Sequence, residues 1–159
     1  MKKKLEYFLG KTFKRSVKKC SDQIVKHIKS KNKKIKFLST INTNTLLVLE
    51  NDDKFKEALV NSFWIIPDGY GTIIACKFLG LKIHQRISGS DIFDQINFKL
   101  NKQKNYKYVF FGSTKKTLRL IAKKMKSKYP NIKIAGYLSP PFKDIYNETE
   151  TKKMINFIN

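Results

Sequence analysis

An apolar run from Phe63 to Ile66 stops at Pro67, presents one carboxylate at Asp68 and passes Gly69 and Gly71 before a helical pattern begins. No other stretch limits the possible folds as tightly. A short apolar run bounded by turn residues reads as a buried strand. In an open α/β sheet, ligands bind where strands end and loops lead into helices. Asp68 therefore stands where a catalytic or ligand-holding carboxylate is expected. Asp-Gly is also a common turn pair, and an Asp before a helix is a common cap; the segment by itself supports both roles equally.

The rest of the chain repeats the alternation. Ser21 precedes a helical pattern with Ile24, Val25 and Ile28 on one face, and Ile35 to Leu38 reads as a strand of the buried kind. Leu46, Leu47 and Leu49 belong to a helix, and Asp52 or Asp53 caps the next, which carries Phe55, Ala58 and Leu59. The helix after Asp68 runs from about Gly71 to Phe78 and stops near Gly80. After the run Ile83 to Ile87, Ser90 caps a helix with Ile92, Phe93, Ile96 and Leu100. Tyr106 to Phe111 and Ile132 to Tyr137 are strands, Thr114 to Tyr129 is the longest helix, and Glu148 to Ile158 forms the last. Strands alternating with helices of these lengths predict an α/β, Rossmann-like, mostly parallel sheet with helices on both faces. A length of 159 residues without a repeat, linker or composition break predicts one domain.

Charge narrows the partners. The formal net charge is +22, from 34 basic and 12 acidic residues, which suits an anionic partner such as a phosphorylated substrate or a membrane surface. Only Arg15, Arg86 and Arg119 are arginines; lysine dominance is also what codon drift in an AT-rich genome produces. Few arginines, no Arg/aromatic interleaving and no RNA- or DNA-binding signature argue against a nucleic-acid reader. Lys2 to Lys4, Lys11, Lys14, Arg15, Lys18 and Lys19 cluster in the first 20 residues among Leu5, Tyr7, Phe8, Leu9 and Phe13, so peripheral binding to an anionic bilayer is expected there. A solvated lysine-rich surface is the alternative. Cys20 and Cys76 are far apart, and His27 and His84 stand alone, so neither a disulfide framework nor a metal or other cofactor is expected.

Three strand ends carry the polar groups. Thr40 and Asn42 follow the first buried strand, Asp68 with Gly69 and Gly71 follows the second, and Arg86-Ile87-Ser88-Gly89-Ser90-Asp91 forms the third. In a parallel sheet these ends share one edge. Thr and Asn can hydrogen-bond sugar hydroxyls, Asp68 can accept a proton, and Arg86 can clamp a diphosphate. Each also has a plainer role: Thr40 and Asn42 as helix caps, Arg86 in a surface ion pair, Asp91 as a first-turn acid facing the helix dipole. Phe111-Gly112-Ser113-Thr114 also leads from strand to helix but lacks phosphate-loop spacing, and Ser113 or Thr114 is expected to be a cap.

Taken in order, Thr40-Ile41-Asn42, Pro67-Asp68-Gly69-Tyr70-Gly71 and Arg86-Ile87-Ser88-Gly89-Ser90-Asp91 resemble the T-x-N, P-D-G-x-G and R-x-x-G-x-D segments of the WecG/TagA/CpsF family, glycosyltransferase family 26. Phe110-Phe111-Gly112-Ser113 and Tyr129-Pro130-Asn131-Ile132-Lys133-Ile134 are similar to its later segments, so the resemblance runs from about Leu5 to the end. It implies an inverting transfer of an N-acetylmannosamine-like sugar or hexose from a UDP donor. The acceptor would be a polyprenyl-diphosphate-linked saccharide at the inner face of the cytoplasmic membrane, in teichoic acid, common-antigen or capsule synthesis. It further implies Asp68 as general base, with Thr40, Asn42, Gly69, Gly71, Arg86, Gly89 and Asp91 around the substrates. The family pattern continues with another strand, a loop carrying a Gln-Glu pair and a basic appendage, which the 159 residues do not include. The expectation is accordingly either a product completed by a second polypeptide or oligomer, or an inactive remnant that still binds nucleotide or anionic membrane.

Overall fold

The computed structural model describes residues 16–30, 34–83, 85–103 and 106–159. They form two compact units that meet in the chain between Ile96 and Asn97. The class is α/β, and every strand pairing among the described residues is parallel.

In the first unit, helix α1 (Val17–Lys29) precedes strand β1 (Leu38–Ile41), helices α2 (Thr43–Asn51) and α3 (Asp53–Val60), strand β2 (Trp64–Pro67) and helix α4 (Tyr70–Phe78); helix α5 (Gly89–Leu100) begins in this unit. β1 and β2 pair with Leu38 opposite Trp64 and Ile41 opposite Pro67. All four residues of β2 are buried because both its faces are covered. Ile65 packs with Ile41, Leu49, Leu59, Ile73, Cys76 and Ile83, the side of α2, α3 and α4. Trp64 and Ile66 turn the other way, onto Cys20 and Ile24 of α1 and onto Ile87 and Ile92. Fully burying one such side chain stabilises a fold by about 1.5–3 kcal/mol, so β2 is the spine of the unit. Burial also pushes the Cys20 thiol up to about 11, which keeps it protonated and unreactive at neutral pH.

In the second unit, strand β3 (Lys107–Phe111), helix α6 (Lys115–Lys128), strand β4 (Lys133–Leu138) and helix α7 (Glu148–Ile158) follow in order. β3 and β4 pair in parallel, with an irregularity between Tyr108 and Val109. Leu118, Met125, Tyr129 and Ile132 are buried. Asn131 donates its backbone N–H to the Asn101 side-chain oxygen at 2.9 Å and its amide to the Asn101 carbonyl at 2.8 Å, which pins the turn before β4. α7 opens with a capping box between Asn147 and Glu150, and the Phe157 ring lies so close over Gly136 that a Cβ there would meet it at 3.0 Å.

Three local expectations shift. α1 starts earlier than the Ser21 reading, at Val17 behind an Ser16 cap, and Ser21 lies inside it with its hydroxyl donating to the Lys18 carbonyl at 2.8 Å. The first strand is Leu38–Ile41, not Ile35 to Leu38: Ile35 and Phe37 are 76% and 61% exposed, because pairing begins only where Phe63 and Trp64 donate to the Phe37 carbonyl. Ser88, not Ser90, caps α5, accepting from the Asp91 N–H at 3.2 Å.

Candidate functional site

The site is built by the ends of β1 and β2. Because Ile41 lies opposite Pro67, the Asp68 N–H reaches the Ile41 carbonyl at 2.8 Å, one step past the ladder. On its other side the Asp68 carbonyl accepts from the Thr72 hydroxyl at 3.0 Å. The Asp68 backbone is thus held from both directions while its side chain stays 30% exposed. Gly69 follows at φ +86°, ψ 142°, a conformation that disfavours any side chain, and lets the chain turn straight into α4. A Cβ on Gly71 would sit 2.6 Å from the Thr43 methyl, so this glycine lets the first turns of α2 and α4 approach.

Arg86 arrives on a separate tether. The Ile87 N–H donates to the Pro67 carbonyl at 2.8 Å and the Ile87 side chain is fully buried, which lays the segment along the edge of β2 away from β1. From there Arg86 Nη1 comes to 3.5 Å from Asp68 Oδ1, and its guanidinium lies 5.9 Å from the centre of the Tyr70 ring. Gly89 starts α5 beside Thr40: a Cβ on it would meet the Thr40 methyl at 3.8 Å. Asp91 is exposed in the first turn of α5. Asn42 lies by Gly69, whose Cβ would be 3.8 Å from that of Asn42.

Asn42 has a structural duty as well. It caps α2, its Oδ1 accepting from the Thr45 N–H at 2.9 Å while its own N–H donates to Thr45 Oγ1 at 2.7 Å. The oxygen is engaged, so what Asn42 can offer a ligand is its Nδ2 amide as a donor.

An open hollow of about 450 Å³ adjoins Arg86, walled by Tyr70, Ile73, Ile74, Lys77 and Gln85. Sequence reasoning passed over Tyr70, Lys77 and Gln85. Tyr70 is the variable position of the P-D-G-x-G segment, and Lys77 lies two turns further along α4, where one lysine among so many carries no signal. In the second unit, Thr114 is the α6 cap, accepting from the Thr117 N–H at 3.2 Å, and the ends of β3 and β4 border a separate hollow of about 930 Å³ lined by Phe111, Ser113, Ser139, Phe142 and Tyr146. Among the described residues no group of three or more His, Cys, Asp or Glu could hold a metal ion. Residues 2–15 of the expected membrane segment lie outside the described residues; Lys18 and Lys19 are exposed on α1.

A carboxylate, an amide and a guanidinium gathered at the carboxyl ends of a parallel strand pair give this α/β protein a candidate site where α/β sheets commonly bind ligands. The whole chain but its first six residues, 7–159, matches the model of the glycosyl transferase WecG/TagA/CpsF family, and the protein belongs to that family. It is similar to the N-acetylglucosaminyldiphosphoundecaprenol N-acetyl-beta-D-mannosaminyltransferase of Bacillus subtilis strain 168, 32% identical over 100 residues, which are 63% of this chain and 39% of that protein. The protein of the same name from Bacillus spizizenii is 29% identical over 108 residues, 68% of this chain and 42% of its own length. The chain thus aligns with about two fifths of the curated relatives it matches.

Proposed function

We propose that this protein takes part in an inverting glycosyl transfer from a UDP-sugar to a polyprenyl-diphosphate-linked saccharide, with Asp68 as general base. The observation that carries the reading is the approach of Arg86 to Asp68 at the end of β2, flanked by Thr40 and Asn42, in a member of a glycosyltransferase family. The names of the relatives, which specify an N-acetylmannosaminyl group and an undecaprenyl-diphosphate-linked N-acetylglucosamine, support an N-acetylmannosamine-like donor sugar and a lipid-linked amino-sugar acceptor.

Each group has work that its chemistry suits. Asp68, fixed at its backbone and only loosely paired with Arg86 at its carboxylate, takes the proton from the acceptor hydroxyl as that oxygen attacks the anomeric carbon. The bond from that carbon to the diphosphate breaks on the opposite face, which inverts the configuration. The departing UDP carries the negative charge that Arg86 neutralises, with Lys77 within the same hollow. The Asn42 amide and the Thr40 hydroxyl orient sugar oxygens, and the Gly69 and Gly89 backbones let substrate come close.

The donor half of this reading is tested by calorimetric titration of the chain with UDP, with and without EDTA. Binding of equal strength in both is expected, since cationic side chains do the neutralising. Binding that appears only with Mg²⁺ or Mn²⁺ would contradict it.

A further inference from the structure

The positive charge of this protein is not evenly spread. α6 carries Lys115, Lys116, Arg119, Lys123, Lys124, Lys126 and Lys128 and no acidic residue. The excess is smaller on the other lysine-bearing helices: α1 sets Asp22 against Lys18, Lys19, Lys26 and Lys29, α3 sets Asp53 and Glu57 against Lys54 and Lys56, and α7 sets Glu148 and Glu150 against Lys152 and Lys153. Codon drift raises lysine along the whole chain, but only α6 combines seven cations with no acid at all, and that excess calls for a local cause.

It also works against the helix. Lys115 and Lys116 occupy the first turn, where the dipole disfavours cations. Arg119 and Lys123 repel at i,i+4, and Lys123 and Lys126 at i,i+3. Among the described residues none of Lys115, Lys116, Arg119, Lys123, Lys124, Lys126 or Lys133 forms an ion pair. Packing is handled by the other face, through the buried Leu118 and Met125.

The charged face adjoins an open groove of about 720 Å³ between α6 and β4. Its basic groups are Lys123, Lys126 and Lys133, and its apolar wall includes Pro130, Ile134 and Tyr137. Leu120, between Lys116 and Lys123 along the helix, is 59% exposed, and Tyr137 is 42% exposed. Cations interleaved with outward apolar groups match a bilayer surface, where lysine heads meet lipid phosphates while their stems and neighbouring Leu and Tyr side chains enter the headgroup layer. A nucleic-acid backbone would leave the apolar wall and Leu120 uncovered, and a single arginine offers little for reading bases.

We propose that this face of α6, with the groove beside it, docks the protein on anionic phospholipid. The proposal deepens the membrane side of the functional reading above. Because vesicle binding needs neither donor nor acceptor, its failure leaves the glycosyl-transfer reading standing, and the reverse also holds.

The test is co-sedimentation of the full chain with phosphatidylcholine vesicles, with and without phosphatidylglycerol. A variant combining Lys116→Gln, Arg119→Gln, Lys123→Gln and Lys126→Gln is compared with a charge-matched one, Lys54→Gln, Lys82→Gln, Lys102→Gln and Lys107→Gln. All eight positions are exposed, and unchanged circular dichroism confirms folding. Each cation at such a surface is worth about fivefold in affinity, so the α6 variant should bind phosphatidylglycerol vesicles at least about tenfold more weakly, and the matched variant only a few-fold more weakly. Leu120→Ser should weaken binding in the same direction. Equal loss in both charge variants would overturn the proposal, since bulk charge would then be the cause. Displacement by inorganic phosphate at the same phosphate concentration, or tighter binding to duplex DNA than to vesicles, would overturn it as well.

Discussion

Asp68 and Arg86 stand 3.5 Å apart with side chains 30% and 40% exposed. An ion pair so placed is worth about 0–1 kcal/mol. It is weak enough to exchange: the guanidinium can turn to a diphosphate as the carboxylate turns to an acceptor hydroxyl. Arg86→Ala should therefore weaken UDP by roughly tenfold or more, as befits a hydrogen bond to a charged group worth about 1.5–3 kcal/mol, while uridine, which lacks the diphosphate, should change little. Equal loss for both ligands in paired titrations would place Arg86 elsewhere than on the phosphates. Gly69 tests the backbone around the carboxylate. At φ +86° a side chain is strained, so Gly69→Ala should cost of order 1–3 kcal/mol in chemical denaturation. A variant as stable as the parent would mean that the turn relaxes freely and does not fix Asp68.

α2 and α5 open onto the site with their N-terminal turns, and the capping residues sit among the proposed substrate contacts. Asn42 is a cap by observation and a substrate contact by proposal, and substitution separates the two roles. Asn42→Ala removes the cap and should cost about 1 kcal/mol in thermal unfolding. Asn42→Ser keeps a capping oxygen and should hold stability within about a few tenths of a kcal/mol of the parent, yet weaken the donor sugar because the amide is gone. Equal donor affinity in the Ser variant would reduce Asn42 to a cap. The same overlap explains what the sequence revealed at this scale. β2 was legible because four apolar residues end at a proline, and α6 and α7 because their polar and apolar positions fall into helical register. β1 was set too early because Ile35 and Phe37 look like strand interior, whereas their exposure follows from where the partner strand begins. The caps Ser16 and Ser88 were missed because two hydroxyl residues lie near each helix start, and only the backbone decides between them.

For the molecule as a whole, the family was readable from three short motifs in order and the parallel α/β class from the alternation of strands and helices, and the first two motifs are the ends of β1 and β2. The local use of charge was not. A lysine count cannot distinguish Lys77 beside Arg86 or the acid-free face of α6 from lysines matched by nearby acids; only the placement of the helices does. The central claim is that Asp68 removes the acceptor proton, and sugar transfer tests it most directly. Turnover is measured from UDP-N-acetylmannosamine to undecaprenyl-diphosphate-linked N-acetylglucosamine, for the native protein and for Asp68→Asn, with UDP binding measured on both. The account predicts transfer by the native protein, a fall of about 10²–10⁴-fold in Asp68→Asn, the range for a lost general base, and UDP affinity within a few-fold of the parent. Native turnover in the Asn variant, or no transfer by a native protein that binds UDP, would contradict it.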